Sequence, residues 1–274
     1  MSVIFASSTC DLDLKTLKKV DVDVINLPTI LNGKKCLYNA DKFNFDEYYA
    51  NSTFSVDFDS YKQLIHKKYL EALSSGQDIL FLTPNAKYDA SYAIVNQEIK
   101  QYIGKYPDQK IEMVDCQNCG LGYGLIVYEA GIANMHGSSI TEVMSFVNTI
   151  KRNIKTYIIP STNENIKEHL TLVGSSIGVR PVLELVGGEF KVVDNVKGKK
   201  KVVDYLYEKA KSNSSEVPLG IMCGKNTDEA TTIADLINNV EDERIIFKSN
   251  LNPMLLQKFG DKTLAISYYK KSKS

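Results

Sequence analysis

Residues 111–124 read Ile111-Glu-Met-Val-Asp-Cys-Gln-Asn-Cys-Gly-Leu-Gly-Tyr-Gly124. A short apolar run ends at Asp115, two cysteines follow at CxxC spacing, and three alternating glycines lead into an apolar stretch with helical periodicity. That order predicts a strand, a tight loop and a helix. In an open α/β sheet such a turn lies at the carboxyl ends of the strands, where ligands bind. Three uses are open: a nucleotide loop, a thiol site, or a loop lining another pocket. Gly120-Leu-Gly122-Tyr-Gly124 fits GxGxG, but the dinucleotide fingerprint needs GxGxxG and position 125 is Leu. Glu142, near the spacing of a ribose-binding carboxylate, falls in a helical stretch, and the chain has no phosphate-binding P-loop motif. The alternative use of the glycines is close approach of a helix to a sheet. Cys116 and Cys119 stand near a helix start, which lowers a thiol pKa. No second cysteine pair is near enough in sequence to complete a four-thiolate zinc site. His66, His136 and His169 are scattered, without metal-ligand spacing.

Other candidate chemistry is sparse. There is no GxSxG elbow for a serine hydrolase. Ser7, Ser8 and Thr9 follow the first apolar run, where their hydroxyls could meet a ligand or cap the next helix. Lys197-Gly-Lys-Lys-Lys201 is the one dense basic run; it reads as a solvated turn before a helix, or as a contact for an acidic partner or a phosphate.

The elements that position these residues follow from periodicity. Strands are expected at Val3–Ala6, Val24–Thr29, Ile79–Thr83, Ile111–Asp115 and Tyr157–Pro160. Val182–Val186 and Phe190–Val193 form an antiparallel hairpin around Gly187-Gly188, and further strands fall at Leu219–Cys223, Arg244–Lys248 and Leu264–Tyr268. Helices are expected over Leu14–Lys19, from Asp46, up to Ser74, and over Tyr88–Tyr102, Leu121–Asn134, Asn163–Leu172, Val202–Lys211 and Asp228–Asn238. Residues 51–60 read as a polar loop, and Ser139 with Glu142 has capping-box spacing. The alternation predicts an α/β fold: an N-terminal domain over residues 1–152 with a mostly parallel sheet, and a smaller mixed-sheet α/β domain over residues 153–274.

The 33 basic and 33 acidic residues balance, which argues against nucleic acid as the main partner. No apolar run nears the roughly 18 residues of a membrane span, the first residues lack a basic n-region, and five cysteines make no disulfide framework. These features predict a soluble cytoplasmic protein with reduced thiols, without a cofactor or metal.

Taken in order, several segments resemble the DegV family of fatty-acid-binding proteins. Ala6-Ser-Ser-Thr-Cys-Asp-Leu-Asp13 stands where that family has a TDSTADLP-like motif. Asp115-Cys-Gln-Asn-Cys-Gly-Leu-Gly122 matches its DS…S.GLG segment, with Cys116 in place of serine. Gly174-Ser-Ser-Ile-Gly-Val-Arg-Pro-Val-Leu183 echoes GxxLNIKPIL, Gly187–Lys201 covers the hairpin and basic KVRGRKKA stretch, and Leu264-Ala-Ile-Ser-Tyr268 matches the closing strand. The family's TSQPS loop aligns with Thr53-Phe-Ser-Val-Asp57, its ISSxLSGT loop with Leu82–Asp89, and its HTGPG histidine with Lys258; an LxxGGRI element is missing.

The resemblance implies a two-domain DegV-like fold that binds a long-chain fatty acid in a cleft between its domains, does no chemistry itself, and presents the acyl group to a fatty acid kinase subunit. It carries ligand contacts to Thr53, Ser55, Thr83, Cys116, Gly120 and Lys258, and a partner-facing role to Lys197, Lys199 and Lys200. Donors or a cation are what a carboxylate leaving water requires. Two alternatives remain: a DegV-like interaction module without lipid, and a small-molecule enzyme using Cys116 and Cys119.

Overall fold

The computed structural model describes residues 2–50, 53–161, 178–211, 218–225, 227–239 and 244–270. The expected helix over residues 163–172, residues 174–177 and His169 lie outside them. The first strands are β1 (Ser2–Ser7), β2 (Val22–Ile25), β3 (Leu27–Leu31), β4 (Lys34–Tyr38), β5 (Phe54–Val56), β6 (Asp78–Thr83) and β7 (Ile111–Asp115). β2-β1-β6-β7 form an all-parallel sheet. Between its strands run α1 (Leu14–Lys19), α2 (Phe45–Tyr49), α3 (Phe58–Ser74) and α4 (Ser91–Tyr102). β4-β3-β5 form a small antiparallel sheet.

α5 (Gly120–Met135) and α6 (Ile140–Ile150) follow. Then come β8 (Ile154–Ile159), β9 (Val179–Val186), β10 (Glu189–Lys197), α7 (Lys199–Lys211), β11 (Leu219–Cys223), α8 (Thr227–Asn238), β12 (Ile246–Asn250), α9 (Pro253–Phe259) and β13 (Leu264–Tyr269). Their six-stranded sheet has the order β10-β9-β8-β13-β11-β12, in which the β11–β12 pair is parallel and the other pairs antiparallel. The mixed sheet expected of the second half is therefore present; the last strand of the parallel sheet ends at Asp115 and the first of the mixed sheet starts at Ile154, with α5 and α6 between them.

α5 fills the space between the two large sheets. It packs on β1 and β2 on one side and on β8, β11 and β13 on the other. Every residue from Gly120 to Val127 is buried, as expected of a helix that is apolar all round. Its glycines are contact points. A Cβ on Gly124 would meet the Cys10 carbonyl oxygen, one on Gly122 would meet Asn118 and Thr156, and one on Gly131 would lie 2.5 Å from the Val20 carbonyl oxygen. The close-packing reading of these glycines is what the structure contains. α6 opens on the expected capping box, with Ser139 Oγ and the Glu142 carboxylate exchanging hydrogen bonds with backbone N–H groups. α7 and α8 cover the outer face of the mixed sheet over a second core that includes Leu206, Ile233, Ile221 and Ile266.

The small antiparallel sheet differs from expectation. The run expected as one strand over 24–29 breaks at Asn26: β2 stays in the parallel sheet, while β3 turns away and Ser8 Oγ accepts the Leu27 N–H at 2.9 Å. Asn32 and Gly33, with φ of 50° and 75°, make the tight turn to β4. α3 begins at Phe58, inside the expected loop, because the Asp57 carboxylate accepts the Ser60 N–H at 3.1 Å.

Adding one methyl group where α5 faces a neighbouring backbone carbonyl overpacks the layer. Gly124→Ala is expected to cost about 1–3 kcal/mol of stability, measured by denaturant unfolding.

Candidate functional site

The parallel sheet ends in three loops that meet α9 and the β9–β10 hairpin from the second half. Between them lies a cavity of about 110 Å³, lined by Thr9, Pro84, Asn85, Tyr88, Asp89, Asn118, Cys119, Gly120, Phe190, Asn252, Met254, Leu255 and Lys258. This is the carboxyl end of β1, β6 and β7, where an open α/β sheet binds ligands.

The loops are held by their own polar groups. The Asp115 carboxylate accepts N–H groups from Ala86 (3.1 Å) and Gln117 (3.0 Å), while Cys116 N–H and Asn118 N–H donate to the carbonyls of Thr83 and Pro84. Tyr123 of α5 donates its hydroxyl to the Leu82 carbonyl and accepts the Ser7 N–H at 3.0 Å, tying the helix to the ends of β1 and β6. Asn118 is 2% exposed; its Oδ1 accepts Thr156 Oγ1 at 2.7 Å and the Cys119 N–H at 3.0 Å. The hairpin tip docks on the β6–α4 segment residue by residue: Asn85 Nδ2 donates to the Gly188 carbonyl at 3.1 Å, Lys87 pairs with Glu189 at 2.5 Å, and Tyr88 packs on Phe190.

Two ionisable groups from opposite halves lie here: Lys258 lines the cavity, whereas Asp11 stands behind its wall and does not line it. Asp11 is 2% exposed and sits just behind Gly120. It accepts Tyr38 OH at 2.7 Å, and Asn252 N–H and Nδ2 at 3.3 and 3.1 Å. Burial pushes its pKa up to about 8, partly offset by those donors. Lys258, in the last turn of α9, lies over the Tyr88 ring (4.7 Å), with Phe190 and Phe259 at 5.9 and 6.0 Å. Burial lowers its pKa, and among the described residues it forms no ion pair. It is a cation facing an apolar cavity, beside the N-terminal end of α5.

The sequence-derived site residues separate into three groups. Gly120 and Lys258 line the cavity. Thr83 and Cys116 are fully buried and do not; the Thr83 hydroxyl donates to the Val114 carbonyl at 3.1 Å. Thr53 and Ser55 are exposed and flank Phe54, whose carbonyl accepts Gln257 Nε2 from α9 at 3.3 Å. Lys197, Lys199 and Lys200 are exposed at the β10–α7 junction, and Lys199 stands 3.7 Å from Glu229. Of the early hydroxyls, Thr9 reaches the cavity, Ser7 caps the short 3-10 turn that follows β1, and Ser8 holds β3. Asn85, Asn118, Asn252, Tyr88, Asp89, Phe190, Met254 and Leu255 were not named as site residues from the sequence, although Asn118 lies inside the CxxC segment, Asn85, Tyr88 and Asp89 in the Leu82–Asp89 loop, and Phe190 in the Gly187–Lys201 stretch, all matched to the family. Burial pushes the Cys119 thiol up to about 12 and Cys116 well above its ordinary value, opposite to the depressed pKa of a reactive thiol. Among the described residues, no cluster of His, Cys, Asp and Glu has metal-site geometry.

Fold and site together define an α/β protein with a parallel sheet, a mixed sheet and a small ligand-sized cavity where the two halves meet. The chain belongs to the DegV family: the model of that family, described as "Uncharacterised protein, DegV family", matches residues 2–271. A DegV domain-containing protein of Clostridium perfringens is 25% identical over 280 residues, covering 97% of this chain and 96% of the relative. A stearic acid-binding protein of Eubacterium ventriosum superposes with a TM-score of 0.82 at 15% identity, over 99% of both chains. A fatty-acid-binding DegV family protein of Thermus thermophilus gives 0.81 at 18% identity, over 98% of this chain and 99% of that one.

Asp11 makes stability depend on pH. The folded protein keeps this proton up to about pH 8, whereas the ordinary value is 3.8, so in between the folded state binds more protons. The site's contribution to stability is therefore full at acid pH and is lost as pH rises towards 8. The denaturation midpoint of the native protein should fall over that window relative to Asp11→Asn; parallel pH profiles would contradict this.

Proposed function

We propose that this protein binds a long-chain fatty acid in the cavity between its halves, residues 1–152 and 153–274, with the acyl carboxylate near Lys258 and the start of α5. The observation that carries this reading is an ammonium without an ion pair among the described residues, lining an otherwise mostly apolar cavity. A carboxylate taken from water needs hydrogen-bond donors or a cation, and each buried methylene adds about 0.8 kcal/mol. The fatty acids named for the Eubacterium and Thermus proteins support it. In this reading Gly120 and Lys258 face the head group, Thr53 and Ser55 lie on the rim beside α9, and Thr83 and Cys116 support the loops from beneath.

A cavity of about 110 Å³ is smaller than the roughly 150 Å³ that holds benzene in an engineered apolar cavity. It has room for a head group and the first few carbons, so a long chain is accommodated by movement of Met254 and Leu255, of which the unbranched methionine adapts most easily.

The protein itself is read as non-catalytic and cytoplasmic, presenting its acyl group to a fatty acid kinase subunit. Among the described residues no helix is long and apolar enough to cross a membrane. Lys199 and Lys200 open α7, where cations oppose the helix dipole; with Lys197 they form a surface suited to an acidic partner. The buried, proton-retaining thiols favour this binding role over an enzyme built on Cys116 and Cys119.

Native mass spectrometry of protein purified from cells should reveal a bound mass matching a long-chain fatty acid, released on denaturation. Lys258→Met should weaken oleate binding by at least about tenfold. Protein that carries no lipid and takes up no added oleate would refute the assignment.

A further inference from the structure

A fatty acid bound as proposed above creates an electrostatic conflict that the cavity itself resolves, and the inference rests on that lipid reading. Asp89 lines the same cavity as Lys258. One of its carboxylate oxygens accepts the Ser91 N–H at 2.8 Å, and among the described residues it enters no ion pair. The charged and titratable groups around it offer no second cation. Lys87 is engaged by Glu189, and Asp115 is occupied by the N–H groups of Ala86 and Gln117. Tyr61 of α3 is a buried phenol close enough to feel the Asp89 charge. Cys10, Asp11 and Cys119, from the segments after β1 and before α5, are neutral thiols or a further acid. Lys258 on α9 is the one cation among the lining residues.

A fatty acid carboxylate entering this space sets two negative charges against one ammonium. Two carboxylates in a water-poor site do not both stay ionised; one proton between them turns repulsion into a short O–H···O⁻ hydrogen bond. We propose that Asp89 and the ligand carboxyl group share one proton, so that binding a fatty acid takes up a proton from solvent and the site rejects head groups that cannot be protonated. Asp89 is thereby the specificity-determining residue of the cavity, and its ligands are carboxylic acids rather than permanently anionic amphiphiles. Burial already raises the Asp89 pKa before any ligand arrives, in the direction that eases this uptake. The proton joins the acid–carboxylate pair as a whole, so the pair titrates as one unit.

Titration calorimetry in two buffers of different ionisation enthalpy at neutral pH counts the proton directly. The native protein should take up close to one proton per dodecanoate, and its affinity should fall as pH rises. It should bind dodecanesulfonate at least about tenfold more weakly, with no uptake. Asp89→Asn keeps an acceptor for the Ser91 N–H. It should bind both amphiphiles with affinities within about twofold of each other and no proton uptake. Asp11→Asn should retain the uptake. Dodecanoate binding without proton uptake by the native protein overturns this inference alone and leaves the lipid reading standing. Equal uptake by the native protein and Asp89→Asn, or its loss in Asp11→Asn, overturns it as well. Failure of the native protein to bind any acyl ligand removes the lipid reading and the inference together. The sulfonate comparison and the proton count on the native protein hold even if the variants do not fold.

Discussion

The spacing between the two large sheets depends on one steric constraint: the backbone of α5 touches its neighbours where a side chain would otherwise stand. Gly124 lies against the Cys10 carbonyl, Gly131 against Val20, and Gly122 in the gap between Asn118 and Thr156. A helix buried on all sides gains apolar contact on both faces, and dense packing leaves no room for one more methyl group. This contact sets the site as well as the core. Because Gly122 has no side chain, Thr156 of the mixed sheet reaches Asn118 of the loop after the parallel sheet. Gly120, at φ 53°, then turns the start of α5 towards the cavity. Loop positions that differ by about 1 Å in such a cavity change which groups a ligand could reach.

The contacts at the rim are of a different kind. Lys87–Glu189 is about half-exposed on both sides, and such pairs add little. Lys225 reaches both the Tyr49 carbonyl and Asp261, again near solvent. The halves are joined by the α5 core and by the buried Asp11–Asn252 link, and the rim contacts shape the mouth of the cavity more than they hold it. Lys258 shows the same division of labour. Its ring neighbours restrict where the ammonium can lie and attract it through their faces, without neutralising it, so the charge stays available.

Legibility in the sequence followed the physical signal. The strands over 79–83 and 111–115 and the helix at 14–19 were readable almost to the residue, because compact apolar runs and 3.6-residue periodicity report burial directly. The glycines of α5 were legible as a close-packing device once the dinucleotide spacing failed. The small antiparallel sheet was not. Its strongest mark, Asn32-Gly33, lies between strands only five residues long, one of them with charged Lys34 and Lys35 at its start. α9 is seven residues long, too short for periodicity to register, yet it carries Lys258 and caps itself through Asn252. Of the six ligand contacts that the resemblance implied, Gly120 and Lys258 line the candidate cavity. Gly120 and Lys258 stand at positions marked by order along the chain, whereas Asn85, Asn118 and Asp89 reach the cavity through loop conformation, which single-residue patterns do not encode.

This difference explains how fold and site diverge at different rates in such a chain. The fold rests on features that many sequences satisfy: apolar faces, a few residues small enough for contact, and strand-ending loops at one edge of a sheet. At 15–20% identity the architecture persists across the full length of other solved proteins. The cavity rests on individual side chains whose charges must sum sensibly in a space of about 110 Å³. There an acid and a base, Asp89 and Lys258, line one wall system without forming an ion pair. In a low-dielectric space each uncompensated charge is costly, and a proton or a counter-charge lowers that cost. The charges that line such a cavity, together with its shape, constrain what it could hold.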